Sequence, residues 1–144
     1  MRRLAALAFL ALAVPATAGE FRSIAEDGTV MYDAPSVRAR KLFVTSRYYP
    51  VEIVVNIDNW VKVRDQAGDL AWVEKKALSD KRIVTVAAAV ADVRQGADDK
   101  APLVFQAQQG VALEVAEPSA NGWVKVVHAD GQTGYVKINQ IWGL

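Results

Sequence analysis

Residues able to do covalent chemistry are scarce in this chain. It has one histidine, His128, and no cysteine, so a thiol nucleophile is excluded. Ser-His-Asp catalysis would need Ser119 or another loop serine to meet His128 beside an acid, and nothing in the spacing supports that meeting. His128 stands in the turn segment "VVHADGQ", where a lone histidine is expected to be solvated. No set of His, Asp and Glu has metal-ligand spacing. Asp98 and Asp99 lack the alternating ligands of a Ca²⁺ loop and read as a hydrophilic loop tip. A glycine loop of the kind that cradles phosphate is absent. These residues point away from an enzyme and call for no cofactor and no metal. What remains is aromatic and basic: Tyr32, Tyr48, Tyr49 and Trp60, with Lys62 and Arg64 close by in sequence, and Trp123 further on. Aromatic faces with cationic edges suit sugars and carboxylate-bearing peptides. Tyr48 and Tyr49 have a plainer reading too, as a cover over an open end of the fold or over a neighbouring unit.

The elements that must hold these residues come in two copies. "WVKVRDQAGDLAWV", Trp60 to Val73, is answered by "WVKVVHADGQTGYV", Trp123 to Val136, at a spacing of 63 residues. Upstream, "MYDAPS" from Met31 aligns with "VRQGAD" from Val93, and Phe43 with Phe105, at a spacing of 62. One residue has therefore been inserted, and the loop before the tryptophan is the expected place. Two copies fall short of the roughly three a solenoid needs. Within a copy the period is two: "VEIVVNI", "WVKVRD" and "LAWV" are short, rich in Val and Ile, and separated by "NIDN", "DQAGD" and "HADGQTG", which predicts short strands. The stretch "DVRQGADDKAPLVFQAQQG" has turn residues with few apolar anchors and is expected to be a long loop. Side-chain parity then places Val61 and Val63 on one face, with Trp60, Lys62 and Arg64 on the other. Trp123 likewise goes with Lys125, away from Val124 and Val126. A ring on the wetter side of a strand packs under a loop or lines a groove. Trp72 and Tyr135 are expected to pack, partly buried.

The start of the chain looks like an address. "MRR" is followed by the apolar run "LAALAFLALAV" and by "PATAG", with Ala16 and Ala18 in an A-x-A arrangement. This pattern predicts a secretory signal peptide over residues 1–18, the apolar run being short of the roughly 20 residues a membrane span needs. Loss of Arg2 and Arg3 takes 17 basic groups to 15, against 16 acidic ones. Such a near-neutral chain has no basic stripe for nucleic acid, and no stable membrane insertion is expected after cleavage. Composition, 52% hydrophobic and 23% charged, is that of a globular protein. An exported chain without cysteines has no disulfide scaffold, so each small unit must rely on its apolar core or on its neighbour. The expected units are residues 19–80 and 81–144. The link "LSDKRIV" is too short to let them drift, so side-by-side packing is expected.

Gly122-Trp123-Val124-Lys125-Val126, then Gly131, Gly134, Tyr135, Val136 and Ile141, preceded by Val93, Arg94 and Gly96, make a pattern that resembles the bacterial SH3 domain. The first copy is similar through Ala34-Pro35-Ser36, Trp60 to Val63, Gly68, Trp72-Val73 and Leu78, with Asn59 and Ala71 where the pattern often has glycine. The resemblance implies an all-β chain of two tandem SH3-like five-stranded barrels, used as binding modules, often in proteins that act at the bacterial cell wall. It also implies that Trp60 and Trp123 stand in the place of a groove tryptophan. Recognition of a proline-rich ligand is not expected, because "VEKKAL" and "VKINQI" stand where a tyrosine and a proline are needed, and Ala77 cannot stack on a polyproline helix. The expected function is a non-enzymatic envelope module, exported to the periplasm, that recognises peptidoglycan or its peptide stems. The other reading is a periplasmic scaffold that binds an envelope protein and has no wall ligand.

Overall fold

The computed structural model describes residues 19–144; the leader expected over residues 1–18 lies outside them. The first repeat forms β1 (Glu20–Ile24), β2 (Thr29–Tyr32), β3 (Lys41–Thr45), β4 (Pro50–Ile57), β5 (Trp60–Arg64), β6 (Leu70–Glu74) and, after a 3-10 turn at Lys75–Ala77, β7 (Leu78–Ser79). The second forms β8 (Ile83–Val86), β9 (Val90–Arg94), β10 (Leu103–Gln108), β11 (Ala112–Ala120), β12 (Trp123–Val127), β13 (Thr133–Lys137) and, after a 3-10 turn at Ile138–Gln140, β14 (Ile141–Trp142). The sheets run β3-β2-β6-β5-β4-β1-β7 and β10-β9-β13-β12-β11-β8-β14, the same order twice. Two SH3-like domains in tandem therefore make up the described chain. The five adjacent strands β6-β5-β4-β1-β7 carry one SH3-like unit, and the β2–β3 hairpin raises its sheet to seven.

Each sheet closes on its own core. Ile24, Met31, Val51, Val61, Val63, Ala71 and Val73 form the first buried cluster. Val84, Val86, Ala91, Val93, Ala107, Leu113, Val124, Val126, Val136 and Ile141 form the second. The parity reading holds in both copies: Val61, Val63, Val124 and Val126 are buried, while Trp60, Lys62, Arg64, Trp123, Lys125 and Val127 are only partly covered. Full burial of a valine contributes about 1.5–3 kcal/mol, so reversing the register of either strand would forfeit several such terms at once.

Two sequence expectations need correction. The segment expected to be a long loop after Asp92 contains the end of β9 and all of β10, paired through Gln106↔Asp92 and Ala107↔Ala91. Val93 and Ala107 supply the inward anchors. Outward, Asp92 accepts from Gln106 Nε2 at 2.8 Å and from Arg94 Nη2 at 3.1 Å, so polar residues that look like turn formers in sequence are cross-strand partners. The inserted residue, expected in the loop, is taken up inside β11. That strand has nine residues against eight in β4, with an added irregularity between Glu117 and Ala120.

The repeats touch through several named contacts. The rings of Phe21 and Trp142 meet edge to face at 5.1 Å and 89°. The buried Ser23 hydroxyl donates to the Lys81 carbonyl at 2.7 Å, Arg22 pairs with Asp80 at 3.0 Å, and the Thr85 hydroxyl donates to the Gln66 side-chain carbonyl at 3.1 Å. Between β7 and β8 only Asp80, Lys81 and Arg82 remain, and these contacts hold two of the three.

Candidate functional site

The outward face of β5 and β6 carries the two tryptophans of the first repeat, Trp60 and Trp72. Trp60 begins β5 because Asp58-Asn59 makes the preceding turn, Asp58 accepting a left-handed backbone (φ 50), a conformation that Asp and Asn tolerate. Its ring meets Tyr32 of β2 edge to face at 5.5 Å and 83°, a pairing that contributes about 0.5–1.5 kcal/mol beyond area burial. Tyr32 is buried at 8% exposure and forms the wall; Trp60 is partly exposed and forms the rim. Register sets Trp72 opposite both Tyr32 and Lys62. Trp72 alternates with buried Ala71 and Val73 and is itself half-buried, so it stands on this face by the same parity that places Trp60 there. Lys62 has no ion-pair partner among the described residues, whereas Arg64 pairs with Glu52 at 3.1 Å and Glu74 with Lys76 at 3.3 Å. The face thus offers three rings and one free ammonium.

Tyr48 and Tyr49 lie elsewhere. Tyr48 takes a left-handed backbone (φ 70), and this turn sends the two neighbouring rings to different surfaces. Tyr49 packs on the first core and lines a pocket with Met31, Phe43 and Asp65. Burial pushes its phenol up from the usual 10.0, helped by the carboxylates of Asp65 and Asp69. Tyr48 faces the second repeat. The structure therefore brings Tyr32, Trp60 and Lys62 together and leaves Tyr48 and Tyr49 out of their group.

In the second repeat the matching face is occupied by its own side chains. Arg94 stands where Tyr32 stands, in register with Tyr135, and its guanidinium is held by the Ala101 carbonyl at 2.9 Å and by Asp92. Lys137 lies over Trp123 at 5.6 Å and pairs with Asp99 at 2.6 Å. Lys125 lies over Tyr135 at 6.0 Å and pairs with Glu117 at 3.2 Å. Trp123 is thus a ring already covered by a cation.

His128 stands in the turn, part-exposed, with two partners. Its Nδ1 lies 3.0 Å from Asp130 and its ring 5.5 Å from Phe105. The Gln132 amide and then His128 hold the Asp130 carboxyl below the usual range. Asp130 is local, two residues along the same turn, whereas Phe105 comes from β10 and no local pattern announces it. Among the described residues no group of three or more His, Cys, Asp and Glu side chains could hold a metal ion, and no helix is long and apolar enough to cross a membrane.

Two small antiparallel sheets, each with its own core and a 3-10 turn before the last strand, define a tandem SH3-like protein. The bacterial SH3 domain family matches twice, over residues 25–80 and 87–143, so the chain belongs to that family. No curated protein matches the chain. Among solved structures, NlpC2 and NlpC1 from Trichomonas vaginalis are similar at 14% identity, with TM-scores of 0.39 and 0.38. They cover 87% and 89% of this chain and 48% and 47% of their own. An NlpC/P60 family protein from Bacillus cereus is similar at 14% identity and a TM-score of 0.36, over 85% of this chain and 56% of its own. The chain spans about half the length of these structures, and nothing about activity follows from likenesses at this level.

Proposed function

We propose that this protein is a non-enzymatic binding module of the cell envelope that recognises peptidoglycan, or its peptide stems, through the Trp60 face. The observation that carries this reading is the half-open Trp60 ring set against Tyr32 beside an unpaired Lys62. A sugar ring or a peptide plane has an aromatic surface to lie on, and a carboxylate has an ammonium to meet. Membership in the bacterial SH3 domain family supports the reading, and the covered Trp123 makes the first repeat the binding copy. The leader pattern over residues 1–18 supports work after export, in the periplasm.

A pull-down of the mature chain with purified sacculi tests it. Retention is expected, and Trp60→Ala should weaken it roughly tenfold or more, the equivalent of about 1.4 kcal/mol, in a variant that still melts cooperatively. Trp123→Ala should change it little. Hydrolysis of the sacculi by the purified chain would overturn the non-enzyme reading.

A second reading, a scaffold that binds an envelope protein, is favoured by β3. This strand is the edge of its sheet and exposes Phe43 at 41% and Val44 at 71%, an arrangement open to pairing with another chain. Absence of any sacculus retention would select it.

A further inference from the structure

The turn before β4 is built by the same backbone bonds as the turn before β11. In the first repeat the Tyr48 amide donates to the Ile24 carbonyl at 2.9 Å and the Ile24 amide to the Tyr49 carbonyl at 2.9 Å. In the second the Gly110 amide donates to Val86 at 2.9 Å and the Val86 amide to Val111 at 3.0 Å. Both turns need a left-handed residue, and the second supplies glycine, with φ 87 at Gly110. The first uses Tyr48 at φ 70, a conformation costing a side-chain-bearing residue about 1–2 kcal/mol. Among the described residues the other non-glycine residues with positive φ are Asp58 and Asn121, types that accept it. Tyr48 alone among them is bulky, and strain of this kind concentrates at ligand clamps.

Its ring stands at the seam of the two repeats. A cavity of about 300 Å³ opens there, with Tyr48 on one side and Ile83, Ala112, Glu114, Val127 and His128 on the other. Two cations lie over the ring, Arg47 at 4.7 Å and Lys81 at 5.4 Å. Lys81 reaches Glu114 only at 3.6 Å, a loose pairing. Asp130 holds His128 at Nδ1, and Nε2 has no partner among the described residues. Arg47 has no ion-pair partner among the described residues, so one of the two cations over the ring is free to meet an anion.

We propose that this inter-repeat cleft binds the carboxylate end of a short peptide. Lys81 and Arg47 meet the carboxylate, Ile83, Ala112 and Val127 take a small apolar side chain, and Glu114 with His128 Nε2 engages the peptide amide. A sugar fits less well, because the cations over Tyr48 occupy the ring face it would stack on. The site shares no residue with the Trp60 face and stands independently of that reading.

The test is an NMR titration of the mature chain with N-acetyl-alanyl-alanine, alongside the same peptide amidated at its C-terminus. The free acid is expected to shift the amides of Tyr48, Lys81 and Gly131, and the amidated peptide to bind roughly tenfold more weakly for want of a charge-assisted contact. Tyr48→Gly, which copies the Gly110 solution, should stay folded and lose the shifts. Lys81→Gln, at an exposed linker position, should weaken binding without touching the turn. Trp60→Ala should leave the shifts intact. Equal perturbation by acid and amide, silence at those amides, or unchanged binding by both Tyr48→Gly and Lys81→Gln overturns the proposal. Peptide shifts together with a failure of sacculus retention would leave this cleft standing and remove the Trp60 reading.

Discussion

Tyr48 and Tyr49 are adjacent in sequence and serve different surfaces, because one left-handed residue turns the chain between them. Tyr49 carries a titration that its neighbours impose. Burial and the Asp65 and Asp69 carboxylates favour its neutral form, so the folded chain holds this proton above the usual tyrosine value. The sign follows from linkage: a folded pKa above the unfolded one gives stability that is intact below pH 10.0 and is lost as pH rises through the folded value. Replacing Tyr49 with Phe should remove that part of the alkaline loss, and one phenol's share of the phenolate absorbance that rises above pH 10.0 should vanish with it. An alkaline titration identical to that of the parent chain would contradict the burial argument. Sequence could name both tyrosines as aromatic but had no means of separating them, since a positive φ at tyrosine is not announced by its residue type.

Strands β9 and β13 pass unusually close in the second repeat. A Cβ on Gly134 would lie 2.6 Å from Val93 Cγ1 and 2.7 Å from the Arg94 carbonyl oxygen. The first repeat carries Ala71 in the matching place, buried at 4%, so the two copies have settled on different strand separations. Gly134→Ala should therefore cost about 1–3 kcal/mol as overpacking. In thermal unfolding followed by circular dichroism that is a fall of roughly 4–8 °C for each kcal/mol. An unchanged melting temperature would mean that Val93 moves aside freely. Alternation made β4 to β6 and β11 to β13 readable, because one face of each is apolar and a period of two needs only local residues. It failed at β9 and β10, where Asp92 of β9 accepts from Gln106 of β10 across the strands and from Arg94 along its own; a pattern counted along one strand cannot see a partner on the next.

The two units behave as one body if the seam holds. Phe21 and Trp142 come from the two ends of the described chain and meet edge to face, while Ser23 and Arg22 fasten the linker. Small units of about 60 residues are marginal alone, so the parent chain should melt in a single calorimetric transition. Trp142→Ala should weaken the coupling by at least the roughly 0.5–1.5 kcal/mol of an aromatic pair and split or broaden that transition; two separate transitions in the parent would show that the seam contributes nothing. By itself the sequence determined the duplication, the all-β class, the buried faces of β5 and β12 and the outward set of Trp60, because these follow from repeat spacing and side-chain parity. Only the tertiary structure decided that Tyr32 walls Trp60, that cations cover Trp123, and that Tyr48, Lys81, Glu114 and His128 share one cleft. Those neighbours come from distant strands and from the linker, and their distances depend on how two closed sheets dock, which no local pattern encodes.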